Sequence, residues 1–400
     1  MTAMSTSPCR RLLTATVLVT IASVVVAAPR MPVDDREVLE HLPSTPGDAQ
    51  AVALRPWRAA LSRDPTNLTV AVRVARTYVD IGRTTGDPRY AGYAEAALSP
   101  WWSSPDPPPA VRLLRAILRQ RVHRFDAALA DLDALIERNP RDAQARLTRA
   151  TILQVQGRLD AAGRECDALR GLTGALYAET CTASVAGLHG DAAGARSRLE
   201  ALVDQGLAAD GDARAWVAGL LAELAERGGD VRTAERWYRT ALSAAPDDPY
   251  LLAAYGDHLI DRGRFIDVIA LLKDRLRADG LLLRYAVAMS MLRRDDAARV
   301  TDQLRNRFAA SHRRGDRVHL REEARFALDL DRDPSVAVRL ARENWAVQKE
   351  PADALVLLRA AIAARDDEAR RLVERWQVET HLEDVRIDAL RTRRDASVLR

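Results

Sequence analysis

A short motif recurs along this chain at nearly constant spacing. The stretch HRFDAALADL begins at His123, and GRLDAAGREC begins at Gly157, 34 residues later. The first residue of the motif has equivalents along the chain, at Gly82, His123, Gly157, Gly190, Gly229 and Gly263. From His123 onward the steps are 34, 33, 39 and 34 residues. A period of this length is typical of chains built from one repeated supersecondary unit.

Small residues hold fixed places around each of these turn residues. Seven residues before the turn stand Ala75, Ala116, Ala150, Ala183, Ala222 and Gly256. Five residues after the last five turns stand Ala128, Ala162, Ala195, Ala234 and Val268. Since glycine ends one helix and opens the way to the next, each unit is predicted to be a helix-turn-helix hairpin. The small side chains allow its two helices to cross closely.

Other features agree with stacked hairpins. Pro140 and Pro246 stand where the second helix of two units should end, and proline cannot continue a helix. Aromatic residues make up only 5% of the chain, while hydrophobic residues, many of them Ala, Leu and Val, reach 48%. Because one hairpin cannot bury its apolar face alone, neighbouring hairpins have to stack on one another.

The chain resembles the tetratricopeptide repeat family over about residues 68–280. The features that it shares with this family are the period, the small-residue pair, the turn glycine and the closing proline. The resemblance implies an all-α fold, a right-handed superhelical solenoid of stacked helix-turn-helix hairpins. We expect a signal peptide at 1–28, a flexible mature N-terminus at 29–53 and a well-defined array with an N-terminal cap helix at 54–280. Degenerate helical repeats at 281–380 and a basic tail at 381–400 complete the expected organisation.

The N-terminal segment has the pattern of a targeting signal. Arg10 and Arg11 precede an uncharged apolar run from Leu12 to Ala28, which ends in small residues. An uncleaved membrane anchor is the alternative, although the run is short for a span and contains Thr and Ser. Both interpretations place the rest of the chain outside the cytoplasm, so we predict an exported protein, periplasmic or secreted.

Two cysteines remain after the signal, an even number in an oxidising compartment. Cys166 lies nine residues after Gly157, on the second helix of one hairpin, and Cys181 lies nine residues before Gly190, on the first helix of the next. Stacking sets those helices side by side, so a Cα separation of about 5.5 Å, suited to a disulfide, is expected. Two buried free thiols are the alternative.

A connection between the first two units contains SPWWSSPDPPPA, from Ser99 to Ala110. Trp101 and Trp102 either form an exposed recognition loop or fill a gap that the irregular spacing leaves in the packing. The sequence favours the second role without deciding the exposure of the two rings.

Catalytic and ligand-binding motifs are missing from the sequence. There is no HExxH, GxSxG, SxxK or phosphate-loop pattern. The segment from Asp329 to Leu340 begins like a calcium loop but has Pro334 in place of the required glycine. Arginine alternates with Asp and Glu along the helices, which argues against a nucleic-acid surface. We predict no enzyme activity, no cofactor, no metal and no nucleic-acid partner.

The resemblance implies a binding groove on the concave face, which the first helix of each hairpin lines in this family. By register, the candidate partner-binding residues are Leu113, Ile117, Gln120, Gln144, Leu147, Thr151, Gln154, Tyr177, Thr180, Ser184, Trp216, Glu223, Tyr250, Asp257 and Asp261. The Lys and Asn residues with which chaperone-binding members hold a peptide carboxylate are absent, so that partner class is excluded.

The sequence thus predicts an exported scaffold or adaptor of bacterial type. It would bind a protein or peptide in the cell envelope through its concave face. The alternative is a structural accessory subunit of an envelope enzyme or transporter complex, in which the edges of the array make the contacts.

Overall fold

A computed structural model describes residues 49–205, 211–313, 315 and 317–398 of the chain. The predicted signal peptide at 1–28 lies outside these residues, as does most of the predicted flexible stretch at 29–53. In the described residues every regular element is a helix. The helices are α1 (Ala49–Arg63), α2 (Leu68–Thr85), α3 (Arg89–Ala97), α4 (Ser99–Trp102), α5 (Pro109–Arg121), α6 (Phe125–Arg138), α7 (Ala143–Val155), α8 (Leu159–Ala168), α9 (Ala175–Leu188), α10 (Ala192–Asp204), α11 (Gly211–Arg227), α12 (Val231–Ala244), α13 (Pro249–Ile260), α14 (Phe265–Leu272), α15 (Asp279–Met291), α16 (Ala297–Arg313), α17 (Leu320–Asp329), α18 (Pro334–Trp345), α19 (Pro351–Ala364), α20 (Asp367–Thr380) and α21 (Val385–Val398).

Consecutive helices pack as hairpins, and the hairpins stack in chain order. The pairs from α5/α6 to α13/α14 follow the predicted repeats. The predicted small residues lie at the crossings: Ala116, Ala183, Ala222, Ala128, Ala162, Ala195 and Ala234 are fully buried. The predicted all-α, right-handed superhelical solenoid is confirmed.

The hairpin turns need a left-handed backbone, which is why glycine marks them. Gly157, Gly190, Gly229 and Gly263 have φ between 69° and 81°, and His123 takes the same region with φ 56°. The first turn differs from the prediction, because α2 continues past Gly82 to Thr85 and the left-handed residue is Gly86. The extra residues of the first unit lengthen its first helix.

The C-terminal units keep the hairpin architecture although their glycines are missing. Arg293, Arg332 and Arg365 have positive φ, between 50° and 56°, at the turns of α15/α16, α17/α18 and α19/α20. A non-glycine residue tolerates this conformation at a cost of about 1–2 kcal/mol. The motif therefore fades in the sequence while the turn persists in the fold.

Both ends of the array differ from their predicted boundaries. The cap helix α1 begins at Ala49, five residues before the predicted start at 54. The predicted basic tail at 381–400 forms the helix α21 over most of its length. Leu382 and Ile387 explain this difference, because both are almost completely buried and anchor the start of the segment to the array.

Trp101 and Trp102 lie on the short helix α4 in the connection between the first two units. Both rings are half-buried and pack against the apolar cluster formed by α1, α2, α3 and α5. The guanidinium of Arg119 lies 6.0 Å from the centre of the Trp102 ring. The two tryptophans thus contribute to packing at the irregular join.

Hairpins that are distant in sequence touch along a line that we call the seam. On one side of the seam lie the turns of the early hairpins, at Gly86, Gly157, Gly190 and Gly229; on the other lie Pro249, Ala278, Lys349, Trp376, His381 and Val385. The Lys349 amide donates a hydrogen bond to the Val155 carbonyl at 2.8 Å. The later part of the superhelix therefore rests directly on the earlier part.

Close approach at the seam gives its glycines a second role. A Cβ atom at Gly190 would lie 3.0 Å from the Cβ of His381, and one at Gly86 would lie 2.7 Å from the Cβ of Ala278. Any side chain there would push the two layers of hairpins apart.

No helix among the described residues is both long enough and apolar enough to cross a membrane.

Candidate functional site

The candidate partner-binding residues lie on α5, α7, α9, α11 and α13, the first helices of their hairpins, except for Asp261, which directly follows α13. We call the surface that they form the inner face. The structure divides them by exposure. Exposed residues are Gln144, Thr151, Tyr250 and Asp261. Half-buried residues are Leu113, Ile117, Gln120, Leu147, Gln154, Tyr177, Ser184, Trp216, Glu223 and Asp257, and Thr180 is fully buried.

Part of the inner face is covered by the chain itself. Leu113, Leu147 and Trp216 pack against one apolar cluster that joins α5–α9 to α17–α21. The rings of Tyr177 and Trp216 lie 6.4 Å apart, centre to centre. Stacking of the later hairpins on the earlier ones thus removes apolar side chains of this face from solvent.

Two predicted contact residues have partners within the array. Thr180 is fully buried, and its hydroxyl donates to the Leu176 carbonyl one turn earlier in α9, at 2.6 Å. Its prediction as a surface residue is wrong because α9 is tightly enclosed by its neighbours at this point. The Ser184 hydroxyl donates to Oε1 of Gln154 at 2.8 Å, which joins α9 to α7.

Asp257, which the register predicted to be a partner-binding residue, forms ion pairs within the array. Its two carboxylate oxygens accept hydrogen bonds from Arg284 of α15 at 2.5 Å and from Arg325 of α17 at 2.6 Å. Burial favours a higher pKa for Asp257, but the two guanidinium groups outweigh it and lower the pKa to about 2. Reversing this charge would break the stacking of three hairpins, so it is unsuitable as a test of partner binding.

Tyr250 is the most exposed aromatic residue of the inner face, with 57% of its surface accessible. Its hydroxyl donates to Oε1 of Glu223 on the neighbouring helix at 2.5 Å. The Glu223 carboxylate raises the pKa of Tyr250 well above its usual value, and Glu350, which precedes α19, adds to the effect. The ring therefore presents an apolar surface beside negative charge, a combination suited to contact with another chain.

Several ionic residues that bind the array together were missed in the sequence. Glu226 of α11 accepts hydrogen bonds from Arg386 of α21 and from Tyr238, and it lies 2.8 Å from Nδ1 of His258. Arg321 of α17 contacts Glu350 and Asp353, at the start of α19. Arg284 alone had a visible signal, because it stands as a single charge in the apolar run from Leu281 to Met289.

Cys166 and Cys181 are joined by a disulfide bond in the structure, with their Cα atoms 5.3 Å apart. The bond links α8 to α9 across two neighbouring hairpins, and both residues are buried. Among the described residues, no group of three or more His, Cys, Asp or Glu side chains is arranged to hold a metal ion.

Comparisons with known proteins agree with this architecture. A family model described as tetratricopeptide repeat matches residues 187–307. No curated protein matches the chain. The chain is similar to yeast Tom70, with 12% identity, 86% of this chain and 93% of that chain covered and a TM-score of 0.34. It is also similar to the human IFIT1 dimer with m7Gppp-AAAA, with 15% identity and a TM-score of 0.38; the match covers 85% of this chain and 86% of that chain. A third similar structure is the P58(IPK) TPR domain, with 17% identity, 80% and 94% covered and a TM-score of 0.21. These scores are low, and the fold assignment rests on the hairpins and on the family match.

Proposed function

This chain is a tetratricopeptide-repeat protein, and from that premise we propose that it is an exported scaffold that holds a segment of a partner protein against its inner face. Repeats of this family suggest a protein-protein interaction scaffold. Stacked hairpins create extended concave surfaces of the kind that such scaffolds use. Beyond the family match, we propose where the partner binds, which is the inner face, and that the protein is exported.

The exposure of Tyr250 is the observation that carries the proposal. Leu113, Leu147 and Trp216 pack within the array, and Asp257 is bound by two arginines. Tyr250 remains open to solvent, although its hydroxyl is fixed by Glu223. A rigid, exposed aromatic ring beside a carboxylate is typical of the residues that contribute most to binding energy at protein interfaces.

Site-specific photo-crosslinking tests this assignment. A photoreactive amino acid at position 250 is expected to capture one partner in the cell envelope. Ile266, which is 66% exposed on α14, the second helix of its hairpin, provides the matched control position. For the captured partner, Tyr250→Ala should weaken binding by about 30-fold or more, while Ile266→Ala should leave it unchanged.

The crosslinking experiment also separates the main proposal from its alternative. Adducts from position 266 and none from position 250 would reject binding at the inner face. That result would instead support the accessory-subunit alternative, in which the outer surface or the edges of the array contact an envelope enzyme or transporter.

Export is supported by the segment before the array and by the disulfide. The pair Arg10 and Arg11 precedes the apolar run from Leu12 to Ala28. The bond between Cys166 and Cys181 suits an oxidising compartment, where disulfides persist. Fractionation of cells that express the full chain, followed by N-terminal sequencing, should recover it from the envelope or the medium with a start near residue 28. Recovery from the cytoplasm would contradict export.

A further inference from the structure

The positive charge of this protein is concentrated at one end of the array. Residues 49–85, which hold α1 and α2, contain six arginines and two aspartates, a net charge of +4. The whole chain also carries a net charge of +4, so the remaining residues together sum to zero. The first helical pair is therefore a basic end on an otherwise balanced molecule.

Most arginines of this end form no ion pair with another described residue. Arg83 pairs with Asp212 at 3.0 Å and lies 3.7 Å from Asp248 across the seam. Within the described part of the chain, no ion pair is formed by the other five, which are Arg55, Arg58, Arg63, Arg73 and Arg76. Elsewhere, inner arginines such as Arg115 and Arg284 are bound to aspartates at 2.6 Å or less.

The five unpaired arginines lie on α1 and α2, two helices that pack against each other. Leu54, Trp57 and Leu61 of α1 pack in the N-terminal apolar cluster. This packing leaves Arg55 and Arg58, one helical turn apart, exposed. On α2, Arg73 and Arg76 have the same spacing and are also exposed. The guanidinium of Arg73 lies 4.1 Å from the centre of the Trp57 ring, so it connects the two helices.

We propose that this basic end docks on an anionic phospholipid surface. Unpaired, exposed arginines on an open helical end attract a negatively charged membrane surface over about one Debye length. The apolar run from Leu12 to Ala28 is predicted to be a signal or an anchor, and either role would bring the chain to a membrane.

Vesicle binding tests the proposal with residues 49–400, which form one compact unit. The vesicles contain either phosphatidylcholine alone or a mixture with 30% phosphatidylglycerol, about a physiological surface charge. We expect binding to the anionic vesicles only, and loss of binding as salt is raised from about 0.05 M to 0.5 M, because salt screens the attraction.

Two matched double variants identify the surface. Arg55→Glu with Arg58→Glu should lower the partition coefficient by about 25-fold or more, because each arginine lost accounts for roughly fivefold and each added glutamate repels the anionic surface further. Arg232→Glu with Arg294→Glu makes the same change in net charge at exposed arginines of another part of the array and should bind like the original chain. Circular dichroism melts establish that both variants fold.

Three results would overturn the proposal. The first is equal binding to neutral and anionic vesicles. The second is an equal loss in both double variants, which would reflect net charge alone. The third is tight binding to duplex DNA without vesicle binding, which would assign the basic end to nucleic acid. None of these results depends on the inner face, so the proposal for Tyr250 is tested separately.

Discussion

Glu226 and Arg386 lie 160 residues apart in the sequence, yet the guanidinium of Arg386 donates to Oε2 of Glu226 at 3.2 Å. Glu226 belongs to α11 and is 5% exposed, while Arg386 belongs to α21, the last helix. Burial raises the pKa of Glu226, but the hydrogen bond from His258 and the charge of Arg386 outweigh it and lower the pKa. This ion pair connects α21, at the end of the array, to α11 in its middle.

Removal of this ion pair should weaken the contact between α21 and α11 at the C-terminal end of the seam. Arg386→Ala leaves Glu226 with Tyr238 and His258, but it removes the guanidinium that pairs with the buried carboxylate of Asp384 at 2.7 Å. We therefore expect a loss of about 3 kcal/mol or more in the free energy of unfolding, as for a buried ion pair that loses one partner. Hydrogen exchange should accelerate in α21. Arg391→Ala is the control, since the side chain of Arg391 donates a hydrogen bond to Gln377 of the adjacent helix α20 and, among the described residues, forms no ion pair. Equal exchange in the two variants would contradict the role of the pair.

The acid stability of the protein should depend on Asp257. Its pKa is lowered to about 2 in the fold from an ordinary value of 3.8. A lowered pKa stabilises the fold above the unfolded value, so this contribution, about 2 kcal/mol, is present above pH 4 and is lost as the pH falls through 2. Urea denaturation of Asp257→Asn should show a deficit at pH 6 that shrinks towards pH 2.

Asp302→Asn is the matched control for that experiment. Asp302 pairs with Arg305 on an exposed surface, so its replacement should cost well under 1 kcal/mol. A deficit for Asp257→Asn that stays constant from pH 6 to pH 2 would show that the lowered pKa does not stabilise the fold.

Loss of the disulfide should destabilise the array without changing its fold. The bond closes a loop with a sequence separation of 15 residues. Such a loop contributes about 3 kcal/mol by restricting the unfolded chain. Cys166→Ala with Cys181→Ala should therefore lower the free energy of unfolding by about that amount and keep the helical spectrum. An intact mass with both thiols alkylated after denaturation, without reductant, would contradict the bond.

A glycine at a degenerate turn should stabilise the protein. Arg332 is exposed and has φ 54°, a conformation that glycine adopts freely. We expect Arg332→Gly to raise the free energy of unfolding by about 0.5–1 kcal/mol, after the larger entropy of glycine in the unfolded chain is subtracted. Arg371→Gly, at an exposed position inside α20, should instead lower it by about 1 kcal/mol. Destabilisation by both changes would show that the turn is unstrained.

The sequence by itself determined the hairpins and their order. Turn residues such as Gly157 and Gly190, and small residues such as Ala162 and Ala183, act within one unit or between neighbours, so a local pattern is enough to predict them. The expected positions of Cys166 and Cys181 on facing helices came from the same register. Where arginine replaces glycine, as at Arg332, the local pattern weakened, and the sequence predicted degenerate repeats without the position of each turn.

Only the tertiary structure decided which parts of the inner face remain open. The pitch of a superhelix is the sum of small rotations between successive hairpins, and no single repeat encodes that sum. It brings Lys349 to Val155 and Arg386 to Glu226, and it binds Asp257 between two arginines while Tyr250 stays exposed. Contacts between residues so far apart in the sequence leave no periodic signal, because each is formed once and between different residue types.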